Sequence, residues 1–161
     1  MSSYTYSHIK PTIEDAAALV SLGREMHEES SYSDLKFSPR RVLETFNWYL
    51  ADEDKTAIIA RKGDKPVGLY AGYTAPYYFS QEKVANDVAW FVIKPLRGTR
   101  VGLRLLDMFE EWALGKGVSE VRLGFTTDIN PEAFDRLMQK RGYDPLGRNY
   151  RLERKNEKHI S

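Results

Sequence analysis

The stretch from Phe91 to Leu106, FVIKPLRGTRVGLRLL, organises the chain around it. An apolar run ends at Lys94-Pro95, a loop with two arginines and two glycines follows, and an amphipathic helical pattern begins directly after it. The first N–H groups of a helix have no internal partners and lie at the positive end of its dipole, so this arrangement can hold an anion. We expect the turn to bind the diphosphate of a nucleotide-derived cofactor. A plain strand-to-helix turn, in which the glycines only fix the geometry, is the alternative.

The composition is that of an ordinary globular protein. Of 161 residues, 42% are hydrophobic and 29% charged, with 24 basic and 23 acidic side chains. This balance gives no support to a nucleic-acid or anionic-membrane partner, which usually leaves a basic excess. The N-terminal sequence lacks the apolar core of a signal peptide, and no run approaches the roughly 18 apolar residues of a membrane span. We therefore expect a cytoplasmic protein.

Several kinds of site are excluded by missing residues or motifs. Cysteine is absent, which excludes disulfides, thiolate metal ligands and a cysteine nucleophile. The sequence contains no GxxxxGK[ST] phosphate loop, no GxGxxG dinucleotide turn and no GxSxG elbow. His8, His27 and His159 are too far apart for metal-ligand spacing, so no metal site is expected.

Local signals predict where the first helices and strands begin and end. Thr12 with Asp15 forms a capping pair for a helix that runs to about Glu29, and Ser38-Pro39 starts a second helix. Gly63-Asp64 closes a hairpin between two strands. The predicted apolar stripe of the first helix consists of Ile13, Ala16, Ala17, Val20 and Met26.

The later elements complete a mixed α/β domain. A long strand from Val84 to Ile93 is apolar on both faces near its end, which predicts a central position. The helix after Gly102 provides a crossover to a parallel strand at 121–126, a last helix starts at Asn130-Pro131, and 143–153 supply one or two closing strands. The predicted fold class is α/β of the α+β type, a mostly antiparallel sheet of six to seven strands flanked by four helices. We expect one domain over 1–161, with a core at about 4–153 and a polar tail at 154–161.

The loop and its surroundings resemble the GNAT superfamily of N-acetyltransferases. The family signature is Arg/Gln-x-x-Gly-x-Gly/Ala, and Arg97 and Gly102 match its first and last positions. Arg100 replaces the inner glycine, and Gly98 is expected to compensate by relaxing the turn. Asn130, followed by Ala133, Leu137 and Gly142-Tyr143, is similar to a second family stretch. The resemblance covers about residues 4–153.

The resemblance implies where acetyl-CoA lies. The fourth and fifth strands diverge in this fold, and the pantetheine arm lies between them. The Val92 backbone would pair with the arm, Asn130 would bond to it, and the Trp90 backbone N–H would face the thioester oxygen. The diphosphate would be held by the backbone amides of Arg97, Gly98, Thr99, Arg100, Val101 and Gly102.

Acetyl transfer requires a neutral amine, and a lysine-like ammonium with a pKa of about 10.4 costs roughly 4–5 kcal/mol to deprotonate at pH 7. Asp87 is the nearest carboxylate on the fourth strand, although the family places a base at Asn86, and Asp87 faces the other side unless a β-bulge intervenes. Water relayed by a nearby glutamate is an alternative. Met138 occupies the position of the family's tyrosine acid, so Tyr143 is the substitute candidate, with Tyr150 as an alternative. Departure of the thiolate without an acid is also feasible.

The family binds its acceptor with segments that correspond here to 27–37 and 75–83. Among their residues Glu28, Glu29, Tyr32 and Tyr77 are the candidate acceptor contacts, because aromatic rings with carboxylates suit a cationic amine. A solvated loop with anchoring aromatics is the alternative.

The sequence thus predicts an acetyl-CoA-dependent N-acetyltransferase that acts on a primary amine of a small molecule or a protein by direct attack in a ternary complex. A catalytically silent acyl-CoA-binding or regulatory protein is the rival from another class, because of Arg100, Met138 and Asn86. Nothing in the sequence separates acetyl-CoA from a longer acyl-CoA. Homodimers are common in the family, but no feature of the sequence requires one.

Overall fold

The computed structural model describes residues 3–124 and 131–154, and these two ranges belong to two separate compact units. The expectation of a single domain stays a prediction. The elements of the first unit are β1 (Tyr4–His8), α1 (Ile13–Glu29), α2 (Pro39–Leu50), β2 (Lys55–Lys62), β3 (Lys65–Pro76), β4 (Lys83–Val92), a 3₁₀ turn (Lys94–Leu96), α3 (Val101–Gly115) and β5 (Glu120–Arg122). The second unit contains α4 (Pro131–Lys140). Within these ranges, no helix combines the length and apolarity needed to cross a lipid bilayer.

The five strands form one mixed sheet in the order β1-β2-β3-β4-β5. The first three pairings are antiparallel, and β4 pairs with β5 in parallel through the crossover helix α3. The α+β class, the four helices and the internal position of β4 agree with the sequence prediction. Both capping predictions are also confirmed, since the hydroxyls of Thr12 and Ser38 accept backbone N–H groups of Asp15 and Arg41.

The predicted sheet of six to seven strands is wrong for the described part of the chain, which contains five. Residues 143–153 form no strand. Their apolar side chains Leu146, Tyr150 and Leu152 remain 73%, 88% and 77% exposed. Alternation of apolar and polar residues produces a strand only where one face finds a surface to cover. The predicted strand at 121–126 ends at Arg122, and residues 125–130 lie outside the described residues.

The predicted apolar stripe of α1 is also wrong. The buried face consists of Asp15, Ala18, Leu19 and Leu22, whereas Ile13 is 84% exposed. The true face is shifted by two residues, which corresponds to a rotation of about 200° around the helix. The buried face could not be recognised from an apolar pattern because it includes the charged residue Asp15.

Asp15 can be buried because both oxygens of its carboxylate have partners. Its Oδ1 lies 2.7 Å from Nη2 of Arg61 on β2, and its Oδ2 accepts the Lys10 N–H at 2.8 Å. A carboxylate that is both paired and hydrogen-bonded can be withdrawn from water. The pair therefore ties the start of α1 to the sheet.

A β-bulge interrupts the pairing of β3 with β4. Ala71 is opposite Ala89 and Gly72 is opposite Asp87, so Val88 has no opposite residue on β3. A Cβ on Gly72 would lie 2.5 Å from the Phe109 ring of α3, so Gly72 and Asp87 share the face that α3 covers. An extra residue exchanges the faces of all later side chains.

The other edge of β4 is paired with β5 only at its beginning. The parallel ladder joins Val84–Asn86 to Glu120–Arg122 and ends there. In the described part of the chain, β5 does not cover the half of β4 that leads to Val92. The Ile93 N–H bonds to the Val67 carbonyl at 2.9 Å, and alternation then directs the N–H groups of Val92 and Trp90 away from β3. These two N–H groups therefore point toward the edge that β5 leaves uncovered.

Candidate functional site

The loop between β4 and α3 begins with a tight turn. The N–H groups of Leu96, Arg97 and Thr99 bond to carbonyls three residues earlier, at 3.0–3.2 Å. Gly98 follows with φ +86°, a conformation that costs other L-residues free energy. The turn thus depends on Gly98, as the sequence predicted.

The start of α3 leaves several backbone donors unsatisfied. Unlike Thr12 and Ser38, the residue before this helix, Arg100, makes no side-chain cap. The Val101 N–H has only a long 3.4 Å bond to the Thr99 hydroxyl. Within residues 3–124 and 131–154, no acceptor bonds to the N–H groups of Gly98, Arg100, Gly102 and Leu103. Of the six amides expected to hold a diphosphate, those of Gly98, Arg100 and Gly102 are available, whereas those of Arg97 and Thr99 are used by the turn.

The side chain of Arg97 joins three elements. Its Nη2 lies 2.8 Å from Oε2 of Glu29, the last residue of α1, and its Nε donates to the Val92 carbonyl at 3.0 Å. The guanidinium also lies 5.4 Å from the centre of the Phe91 ring. These contacts hold the end of α1 against the end of β4.

Arg100 is arranged differently. Its side chain is exposed and makes no hydrogen bond, ion pair or ring contact with any residue that the structure describes. Only its carbonyl is engaged, as the acceptor for the Arg104 N–H at 2.9 Å. The guanidinium is therefore available to a ligand at the start of α3.

Trp90 packs the last part of β4 onto α3. Its indole Nε1 donates to the Gly102 carbonyl at 3.1 Å. A Cβ on Gly102 would lie 3.5 Å from Cγ2 of Val92 and 3.7 Å from the Trp90 Nε1, which is ordinary contact. The small residue lets the helix start lie directly on the strand end.

Asp87 lies on the same face as Trp90 because of the bulge at Val88. Its Oδ1 accepts the Gly124 N–H at 2.8 Å, just beyond the last β4–β5 pair. Burial raises the pKa of the Asp87 carboxyl above its ordinary value, while the backbone N–H groups of Gly124 and of Asp87 itself oppose the rise. The bulge on which the assignment of Asp87 as the base depended is present.

The two predicted acceptor segments lie at opposite ends of β4. Glu29 contacts Arg97 at the Val92 end, and Glu28 is exposed beside it. Tyr77 belongs to the turn before Lys83, where its N–H bonds to the Glu82 carbonyl at 3.0 Å. Since β4 has ten residues, roughly 30 Å of strand separates the two ends. Glu29 thus joins the loop region, and Tyr77 does not.

The segment after α1 is built around Phe37. The His27 ring lies 5.5 Å from it, and the Arg24 guanidinium lies 4.7 Å above it. Nε2 of His27 is buried and has no hydrogen-bond partner among the residues described. Tyr32 is 43% exposed, and its N–H bonds to the Ser30 hydroxyl. The segment therefore carries an exposed aromatic ring three residues after Glu29, and its role in acceptor binding stays a prediction.

The second unit contains the remaining candidates. Met138 is buried, and Tyr143 donates its N–H to the Met138 carbonyl at 2.9 Å. With Gly142 at φ +92° and its N–H on the Gln139 carbonyl, this closes α4 as a Schellman motif. Asn130 lies outside the described residues. The described residues contain no group of three His, Asp or Glu side chains placed to hold a metal ion.

Comparison with known proteins identifies the family. Residues 22–143, which are 122 of the 161, match the Acetyltransferase (GNAT) family. The chain therefore belongs to the GNAT acetyltransferase family. Among curated proteins, no sequence matches it significantly.

Solved structures share the fold at low sequence identity. An aminoglycoside acetyltransferase, meta-AAC0020, from an uncultured soil metagenomic sample is 17% identical, with a TM-score of 0.67 over 93% of this chain and 97% of that one. The ribosomal-protein-alanine N-acetyltransferase of Brucella melitensis biovar Abortus 2308 is 18% identical (TM-score 0.69; 94% and 99% covered). AAC(6')-Iy, in complex with the bisubstrate analogue CoA-S-monomethyl-acetylneamine, is 15% identical (TM-score 0.73; 96% and 100% covered).

Two relationships in the site had no counterpart in the sequence analysis. Arg97 and Glu29 are 68 residues apart, and nothing in either local pattern links them. The Gly124 N–H that binds Asp87 is also far from its partner in sequence, at 37 residues. Both contacts form because the fold brings distant strand ends and helix ends together. The local sequence does not encode which ends meet.

Proposed function

We propose that the protein is an acetyl-CoA-dependent N-acetyltransferase that acetylates a primary amine of a small molecule or a protein. Membership of the GNAT family supports acyl transfer. The observation that carries the proposal is that the edge of β4 beyond its pairing with β5, which has no strand beside it among the described residues, leads directly to the start of α3. A strand edge that leads directly into free helix N–H groups suits a ligand with amides at one end and phosphates at the other.

The described residues fit acetyl-CoA. The pantetheine amides would pair with Val92 along the edge of β4, and the diphosphate would meet the free N–H groups at the start of α3. The Trp90 backbone N–H, directed to the same edge, would donate to the thioester oxygen, where negative charge develops during acyl transfer. Bound acetyl-CoA supplies the acetyl thioester. A structure of AAC(6')-Iy, which shares the fold, was solved with a CoA bisubstrate analogue, which supports the use of acetyl-CoA.

Asp87 is the proposed general base. The amine must lose a proton as its nitrogen bonds to the acetyl carbon, and the sulfur leaves with the electrons of the C–S bond. A carboxylate with a raised pKa is a stronger base than an ordinary one. Tyr143 stays the proposed proton donor to the sulfur.

The proposed acceptor is a cationic amine that approaches from the end of α1. Glu28 and Glu29 end α1 and Tyr32 follows three residues later, so this segment would offer carboxylates and a ring to an ammonium group. The similar proteins named above are acetyltransferases of aminoglycosides and of a ribosomal protein, which supports an amine acceptor. The cytoplasmic location and a homodimer stay proposals drawn from the sequence and the family resemblance.

A thermal-shift series with acetyl-CoA, CoA and longer acyl-CoAs tests the proposal. Ligand at 100 times its Kd adds about 2.7 kcal/mol, which raises the Tm of a protein of this size by roughly 5–10 °C. Tyr78→Ser, at a side chain that is 98% exposed beyond the far end of β4, is the control and should show the same shift. A panel of amines then tests thiol release.

No shift with any acyl-CoA would refute the function. A shift without thiol release from any amine would favour the acyl-CoA-binding protein instead. A larger shift with a longer acyl-CoA than with acetyl-CoA would replace the acetyl group in the proposal.

A further inference from the structure

The side chains of the two arginines of the loop have different surroundings. Arg97 uses Nη2 for Glu29 and Nε for the Val92 carbonyl, and its guanidinium lies over Phe91. Its charge is already paired with Glu29, and two of its nitrogens are held by oxygen partners. The side chain of Arg100 has no hydrogen-bond or ion-pair partner among the described residues.

We propose that Arg100, and not Arg97, supplies the side-chain charge that holds the coenzyme diphosphate, and that Arg97 is a positioning residue for the end of β4. The proposal rests on the proposed coenzyme function. Arg100 stands where the family signature has its inner glycine, so this chain places a cation where relatives have bare backbone.

Arg100 is suitably placed for this role. It directly precedes α3, and its own N–H and those of Gly98, Gly102 and Leu103 lack acceptors in the described part of the chain. A guanidinium at this point adds a full charge to the positive end of the helix dipole. Its planar set of donors matches two phosphate oxygens at once.

Arg97 acts on the coenzyme through another residue. Val92 is the last residue of β4, and its N–H points toward the uncovered edge. Arg97 satisfies the Val92 carbonyl and fixes it to Glu29 at the end of α1. The contact therefore sets the position of the Val92 N–H, which would bond to the pantetheine arm.

Two other cations near the loop are weaker candidates. The Arg104 guanidinium lies 6.0 Å from the centre of the Tyr6 ring on β1. Lys94 is exposed in the 3₁₀ turn, three residues before Arg97, and lies on the strand side of the loop. Lys94 is therefore the control for a general effect of positive charge.

The test is calorimetric titration of CoA and of 3′-dephospho-CoA into the full chain. We expect Arg100→Gln to weaken both ligands about tenfold or more, as for loss of one hydrogen bond to a charged group, without a change in Tm. Arg100→Lys should recover part of the affinity, and Lys94→Gln should stay close to wild type. Glu29→Gln, compared with Glu25→Gln one turn earlier on α1, should bind CoA no more tightly than that control and should have a slightly lower Tm, because Arg97 then holds Val92 less firmly.

Four results would overturn the assignment. The first is equal affinity of wild type and Arg100→Gln. The second is an Arg100→Gln effect that disappears with 3′-dephospho-CoA, which would place the side chain on the 3′-phosphate. The third is an equal loss in Lys94→Gln, which would indicate only long-range charge. The fourth is tighter CoA binding in Glu29→Gln, by about two- to fivefold over Glu25→Gln, because a ligand that must take Arg97 from an exposed ion pair gains that much when the pair is absent. If wild type binds neither ligand, the coenzyme function itself fails.

Discussion

The Asp87 carboxylate accepts the Gly124 N–H at 2.8 Å where the pairing of β4 with β5 has just ended. A side chain thus takes the place of the next main-chain acceptor in the ladder. The same carboxylate is the proposed base, so it has both a structural and a chemical role. Substitutions that separate the two roles are available.

Asp87→Asn should abolish the chemistry and keep the structure. The amide oxygen can still accept from Gly124, while the base is lost, so kcat should fall about a hundredfold or more. In wild type, kcat/KM should fall as the pH drops through the raised pKa of Asp87, and this limb should be absent in Asp87→Asn. A residual limb at the same pH would show that another group is the base.

The free energies of unfolding of wild type and of Asp87→Asn should diverge as the pH rises. Because the folded pKa of Asp87 lies above its unfolded value, its stabilising effect is complete below the unfolded pKa and is lost as the pH rises through the folded one. Asp87→Asn should therefore be at least as stable as wild type at pH 7. Asp87→Ala, which leaves the Gly124 N–H without this acceptor, should lose about 1 kcal/mol. Denaturant titration at pH 7 and at a pH below the unfolded pKa of Asp87 measures these differences.

Gly72→Ala should destabilise the protein strongly. A Cβ there would lie 2.5 Å from the Asn86 carbonyl oxygen and 2.5 Å from the Phe109 ring, and a strand carbonyl cannot move aside. We expect a loss of about 2–3 kcal/mol, which lowers Tm by roughly 4–12 °C. Gly115→Ala, where a Cβ meets nothing within 4 Å, is the matched control. Equal Tm values for the two variants would contradict the bulge geometry.

The two glycines of the coenzyme loop should respond differently to alanine. Gly98 has φ +86°, so Gly98→Ala should cost about 1–2 kcal/mol and weaken CoA binding by disturbing the turn. Gly102 is helical and has room for a methyl group, so Gly102→Ala should keep both stability and affinity. Gly98→Asn should recover part of the loss, because asparagine tolerates positive φ. Thermal melts and CoA titration of the three variants distinguish strain from crowding.

The Asp15–Arg61 pair should matter for folding. Both side chains are largely buried, with 10% and 18% exposed for Asp15 and Arg61, so Asp15→Ala leaves a buried guanidinium without its partner. We expect a loss of about 3 kcal/mol by denaturant titration. The double variant Asp15→Leu with Arg61→Met should recover much of it. A single-variant loss below about 1 kcal/mol would mean that water replaces the carboxylate.

Local chemistry in the sequence was sufficient for much of the fold. Thr12, Ser38, Gly63-Asp64 and Gly142 mark element ends because a cap or a turn needs those residue types wherever it occurs. The face of α1 could not be predicted in the same way, because the charge of the buried Asp15 is paired with Arg61, 46 residues away. The closing strands failed for a related reason, since a strand needs a surface that a local pattern does not specify.

In the candidate site, too, some features follow from the local sequence and others depend on tertiary contacts. The Gly98 turn and the open start of α3 follow from the residues of the loop itself. The uneven roles of Arg97 and Arg100 do not, because Glu29 and the Val92 carbonyl select Arg97 through tertiary contact. Asn130 stays a prediction, as do the roles assigned to Tyr143 and Tyr32.

The bulge at Val88 exists because β4 contributes one more residue to the paired segment than β3 does. Between Gly68 and Pro76, nine residues of β3 face the ten residues Lys83–Val92 of β4. No single side chain creates this surplus, so substitutions along β4 leave it in place. Loss of one residue would instead put Asp87 and Trp90 on opposite faces again. Single-residue deletions in β4, more than point substitutions, are the changes that this part of the protein should tolerate least.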